Sequence, residues 1–181
     1  MTFGERIIGA AKLDANTFED IERDPTALSQ AVGVIALAAV STGIGNVWYG
    51  GFAGIIFGVL TSLIGYAVWA VIVWLVGTKV MPDPATKADF QETFRVIGFA
   101  AAPGILGFVT IIPILGWLLI FCIWLWTIAA MVIAVKQVLD YTDTFKAVIV
   151  VIIGFVVNFV ITMILGAMFV GTALLTGALG R

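Results

Sequence analysis

Asn158 and Thr162 stand four residues apart in the last apolar run of the chain. With Asn46, Thr61, Ser62, Thr110 and Thr127 they are polar side chains set in otherwise apolar sequence. An amide or a hydroxyl can donate and accept hydrogen bonds, but it needs a base before it can act as a nucleophile. No nucleophile–base pair, metal-ligand cluster or phosphate loop accompanies them. Histidine is absent, which removes the commonest metal and haem ligand and leaves the single Cys122 without an activating imidazole. In hydrocarbon the Asn158 amide is costly unless another group receives it. One reading is an interhelical hydrogen bond, worth ~0.6–2 kcal/mol. The other is a polar path, lined with Thr162, for an uncharged substrate. No catalytic residue, cofactor or metal is expected.

The elements that hold these residues are membrane spans. The 181 residues are 62% hydrophobic and 11% charged, and mean hydropathy is +1.17. A soluble domain carries about a quarter charged residues. Net charge is −2, so no basic surface suggests nucleic acid. Glu5 and Arg6 precede no short apolar core with a small-residue cleavage site, so no signal peptide is expected. Uncharged runs predict spans at about 28–47, 52–76, 96–112, 116–135 and 147–175. No Asp, Glu, Lys or Arg falls inside them, which weighs against proton relays and ion paths.

Residues 1–27 read as an amphipathic N-terminal segment and 28–181 as one five-span domain. Phe3 and Ile7 share a helical face, and Thr17 to Asp20 fits a capping box. The segment suits an interfacial helix lying on the membrane; the alternative is a solvated tail packed on cytoplasmic loops. Its six acidic and three basic residues do not make a polybasic lipid anchor. Asp24-Pro25 is a helix start. Gly54 and Gly58, like Ala130 and Ala134, are small residues four apart that allow close helix packing within the chain. Residues 85–94 read as a short amphipathic helix entering the third span, and Tyr141 as an interfacial anchor.

That third span organises the rest. Small residues crowd around Pro103, which cannot donate to the carbonyl of Phe99 and clashes with it. With no water at membrane depth, neighbouring helices must cover the freed carbonyl. Pro113 to Gly116 then makes an apolar turn. The fold expected is an all-α integral membrane protein, a five-transmembrane-helix bundle with a proline-broken third helix and N-terminal amphipathic helices.

Eight of nine basic residues fall on one side of five spans. The positive-inside rule puts the N-terminus in the cytoplasm and the C-terminus outside. Five spans in this orientation, with a proline-bearing third, resemble the Yip1-domain family. Gly98-Phe99-Ala100-Ala101-Ala102-Pro103 is similar to its Gly-Tyr-x-x-x-Pro signature, with Phe99 at the tyrosine position. Ile112 to Gly116, including Pro113, and Thr144 to Ala147 look like the short prokaryotic members. The Asp-Leu-Tyr-Gly-Pro motif of eukaryotic members is not present; Trp48-Tyr49-Gly50-Gly51 is not its equivalent. The resemblance implies a non-catalytic membrane organiser or adaptor in a prokaryotic cytoplasmic membrane. Its partners would be membrane lipids and a membrane protein or further copies of itself. The alternative is a small carrier or pore for an uncharged or lipidic substrate beside the broken third helix. A reporter fused to the C-terminal end is expected to be active outside the cytoplasm, and activity confined to the cytoplasm would reverse the topology.

Overall fold

Capping side chains place the first helices. Asp14 accepts from the N–H of Asn16 and opens a helix that runs to Arg23, earlier than the expected start at Thr17. Thr17 is instead buried, its hydroxyl donating to Asp14 Oδ2 at 3.0 Å. A computed structural model describes the chain apart from Asn46, Pro113, Ile114, Gly180 and Arg181, and apart from the side chains of 47–50, 162 and 164–179. The helices are α1 (Phe3–Ala11), α2 (Ala15–Arg23), α3 (Ala27–Gly45), α4 (Val47–Leu75), α5 (Phe90–Phe99), α6 (Leu115–Val138) and α7 (Thr144–Leu179). A π-helical turn, Val76–Val80, prolongs α4, and a 3-10 segment, Ala102–Ile111, follows α5. No strand occurs among the described residues.

Five segments are long and apolar enough to cross a membrane: Ala27–Gly45, Gly51–Val80, Phe90–Ile111, Leu115–Val138 and Thr144–Ile161. The chain is a multi-pass all-α membrane protein. Gly51 interrupts α4 with φ +58°, a conformation that glycine adopts without a Cβ penalty. The helix expected from residue 85 begins only at Phe90. Asp89 accepts from the Glu92 N–H at 2.7 Å, and the Glu92 carboxylate accepts from the Asp89 N–H at 2.9 Å. This capping box outweighs the apolar pattern upstream, which follows two prolines.

The third span lies at the centre. In its most apolar stretch 56% of residues are buried, against 28% or fewer in each of the other four. It is α-helical to Phe99 and 3-10 from Ala102, with Pro103 second in the 3-10 segment. The 3-10 rise is greater, so ten residues cover ~20 Å rather than ~15 Å. An uncharged stretch short for a span thereby gains reach. At ~1.5 Å per residue the 36 residues of α7 extend ~54 Å, well beyond one hydrocarbon core.

The charged segments gather at one end. α2, the loop before α5 and the loop before α7 are joined there by side-chain hydrogen bonds. Every charged residue lies in 5–24, 79–95 or 136–146 except Arg181, which lies outside the described residues.

The contact between α3 and α5 is close enough to test. A Cβ at Gly98 would lie 2.8 Å from the Ala31 Cβ and 3.4 Å from its Cα. Gly98→Ala is therefore expected to cost about 1–3 kcal/mol in detergent unfolding. Adding Ala31→Gly should recover most of that loss; no recovery would mean that the contact is not the cause.

Candidate functional site

Small residues and the hydroxyls of Ser41, Thr42 and Thr110 build the seam between α3 and the third span. A Cβ at Gly104 would meet the Ala38 Cβ at 3.2 Å, and one at Gly107 would meet the Thr42 Cα at 3.2 Å. At this distance the 3-10 backbone lies directly on α3. The Ser41 hydroxyl donates to the Ile105 carbonyl at 2.6 Å and accepts from the Phe108 N–H at 2.9 Å. It thus serves two backbone groups in an irregular stretch. Ser41 was not among the polar residues singled out in the sequence. Its signal was a hydroxyl in an Ala/Gly-rich face with the spacing of 31, 38, 42 and 45. Phe99, at the signature's aromatic position, is fully buried, and its ring meets that of Phe3 edge-on at 6.4 Å. Gly116 brings the start of α6 against Thr110, since a Cβ there would lie 2.9 Å from the Thr110 Cα. Pro113 lies outside the described residues.

Two cavities adjoin at membrane depth. One, of about 290 Å³, lies between α4, α6 and α7, lined by Ser62, Gly65, Tyr66, Trp69, Trp124, Thr127, Ile128, Met131, Phe155 and Asn158. The other, of about 310 Å³, lies between α3 and α4 and reaches Gly104 of the third span. Ser62 and Tyr66 belong to both walls. Asn158 thus faces α4 and α6. The path expected beside the broken third helix is not where Asn158 lies, because α7 packs on α6 and α4 and no third-span residue lines this cavity. The side chain of Thr162 lies outside the described residues.

A family model for the Yip1 domain matches residues 14–166. The chain belongs to the Yip1-domain family. Comparison with curated proteins and with solved structures returns no match. The Yip1 family is one of generally non-enzymatic membrane proteins. In this member Gly98, Phe99 and Pro103 form one continuous buried stretch with Ala100–Ala102. Ala130 and Ala134 are fully buried on α6. Gly54 and Gly58 differ from the packing expected within the chain: nothing lies within 4 Å of a Cβ built on either. α4 meets the rest of the bundle mainly through α3 and its own charged end, so these glycines look onto open space. Among the described residues no group of three His, Cys, Asp or Glu could hold a metal ion.

At the charged end of this Yip1-domain protein two buried arginines bind α1 and α2 to the spans. Arg6 donates to Asp20 at 2.8 Å, to Asp24 at 2.7 Å and to Gln30 on α3 at 3.0 Å. Hydrogen bonds from the Thr26 side chain, then from Arg6, hold the Asp24 carboxyl down to about 2. Arg95, on α5, donates to the Ile21 and Glu22 carbonyls that end α2, at 3.1 and 2.9 Å through Nε. A cation at a helix C-terminus also complements its dipole. Ala10, Phe18 and Ile21 are fully buried, so the hairpin is packed on the bundle rather than free of it. Tyr141 is buried instead of anchored at an interface, its hydroxyl donating to the Met81 carbonyl at 2.7 Å.

Burial, then the nearby Asp140 and Glu92 charges, pushes the Glu22 carboxyl up to about 7, with Arg95 opposing. A raised carboxyl contributes stability that is fully present below its unfolded value of about 4.5 and lost as pH rises through about 7. Detergent thermal unfolding should therefore move to lower temperature between pH 5 and pH 8. Glu22→Gln should flatten that part of the profile; an unchanged slope would remove Glu22 as its origin.

Proposed function

We propose that this protein is a non-catalytic organiser of the membrane that works by binding a further membrane helix on α4. The observation that carries this reading is the open face of Gly54 and Gly58. Nothing lies within 4 Å of a Cβ built on either, their spacing of four keeps them on one side of the helix, and Gly58 also edges the cavity between α3 and α4. Association of helices in lipid depends on close backbone approach, and small residues at this spacing provide it. The charged end supports an adaptor rather than an enzyme. Its arginines are spent on carbonyls and carboxylates of the same chain, and no described side chain there is paired as nucleophile and base. We place this end in the cytoplasm, on the excess of basic residues in the loops that meet there.

The occupant is a helix of a partner membrane protein or of a second copy, both of which need the same glycine face. Copurification of the intact chain in mild detergent tests it, with native mass measurement to tell a partner from a second copy. Gly54→Leu fills the face without touching the chain's own packing and should reduce the associated species roughly tenfold. Undiminished association would move the docking surface elsewhere, and a strictly monomeric, partner-free wild type would refute the reading.

A further inference from the structure

From the walls of the cavity between α4, α6 and α7 we infer a binding site for an uncharged, single-chain lipid bearing a hydrogen-bond-accepting oxygen. Trp69 stands eleven residues before the end of the π turn at Val80, and Asn158 fourteen after the start of α7 at Thr144. At ~1.5 Å per residue both lie ~16–21 Å from the charged end, near the middle of a ~30 Å hydrocarbon core. The occupant at that depth comes from the lipid phase. No lining residue is ionisable as a carboxylate or a cation, so a charged headgroup would be buried without a counter-ion.

The wall nonetheless asks for one polar contact. Trp69 is only 7% exposed, and its Nε1–H is buried without a hydrogen-bond partner among the described residues. The ring is fixed in place. It lies over Gly154, where a Cβ would come within 3.2 Å of it, and it meets Phe155 edge-on at 4.7 Å. A fixed, buried donor is costly to leave unmade, and an ester, ketone or ether oxygen satisfies it. Ser62, Tyr66, Thr127 and Asn158 share the same cavity, and Trp124 and Met131 provide the apolar part. About 290 Å³ is at the small end for ligand cavities and takes a stretch of one chain rather than a two-chain lipid. The adjoining cavity, across Ser62 and Tyr66, gives that chain room to continue.

The test uses the full chain in nanodiscs with a diazirine-bearing methyl stearate as the probe. Irradiation and peptide mapping should place label within 62–69, 124–131 and 155–158. Unlabelled methyl stearate should displace it, and octadecane, which has no acceptor, should be about tenfold weaker. Trp69→Phe keeps the ring and removes the donor, and should weaken displacement roughly fivefold. Gly65→Leu, which meets nothing within 4 Å, should fill the cavity and abolish displaceable label. If Gly65→Leu does not fold, Gly65→Ala takes its place with a partial loss. Label spread over lipid-facing Trp117 and Phe121 and not displaced by ester would overturn the site. Equal competition by octadecane, or an unaffected Trp69→Phe, would overturn the acceptor. Gly54→Leu lies outside this cavity, so loss of helix docking leaves labelling unchanged and the two readings fail separately.

Discussion

Backbone that departs from the α-helix can lie at membrane depth only where protein covers it. The third span departs in this way, and most of the bundle follows from covering it. Its 3-10 half has a different hydrogen-bond pattern and poorer geometry than an α-helix. The answer is contact from α3 and α6 on the backbone, while Leu106, Phe108 and Ile111 face outward. Gly98, Gly104 and Gly107 let α3 come down onto the backbone, and Ser41 serves both a carbonyl and an N–H. Gly116 lets α6 begin directly against the end of the segment. None of these residues is reactive. Their identity is dictated by how little room the backbone leaves and by which polar groups it exposes.

The charged end obeys the same rule with different groups. A helix ends with carbonyls that lack intrahelical partners. For α2 the partner is Arg95, which enters from α5 and is itself almost fully buried. Arg6 closes the other side of the hairpin through two carboxylates and Gln30. Removing one partner of such a buried ionic set leaves a charge without compensation, so the set stands or falls together. The Trp126 indole, donating to the Ala11 carbonyl at 2.7 Å, ties α1 to α6 as well. The family's central motif and the N-terminal hairpin are thus one packed unit, since Phe99 touches Phe3 and Arg95 holds α2.

The spans were legible because apolar length and loop charge are one-dimensional quantities. Uncharged runs located all five, and the charge count grouped the loops that the structure brings together. The central position of the third span followed from its crowd of small residues around Pro103. What escaped depends on which faces meet. Gly54 and Gly58 have the same local pattern as a packed pair, and only the path of α4 leaves them open. Asn158 was legible as a polar residue at depth but not as a neighbour of Tyr66 and Trp69, which are about ninety residues away in sequence. The Asp89–Glu92 box is explicit in the sequence, but the amphipathic pattern that runs upstream of it obscures where the helix starts. Ser41 was hidden because a serine in an alanine-rich helix is unremarkable until an irregular backbone lies against it.

The two helix types joined in the third span bear on membrane thickness. Its ten 3-10 residues would shorten by ~5 Å if they became α-helical. That change is comparable to the difference in hydrocarbon thickness between thin and thick cellular membranes. Residue count therefore does not set the distance that this span bridges. The ratio of 3-10 to α-helix does, and it is held by Ser41 of α3 together with the glycines of the third span that meet α3. The length of the central span is therefore written into its contacts with α3 rather than into its number of residues.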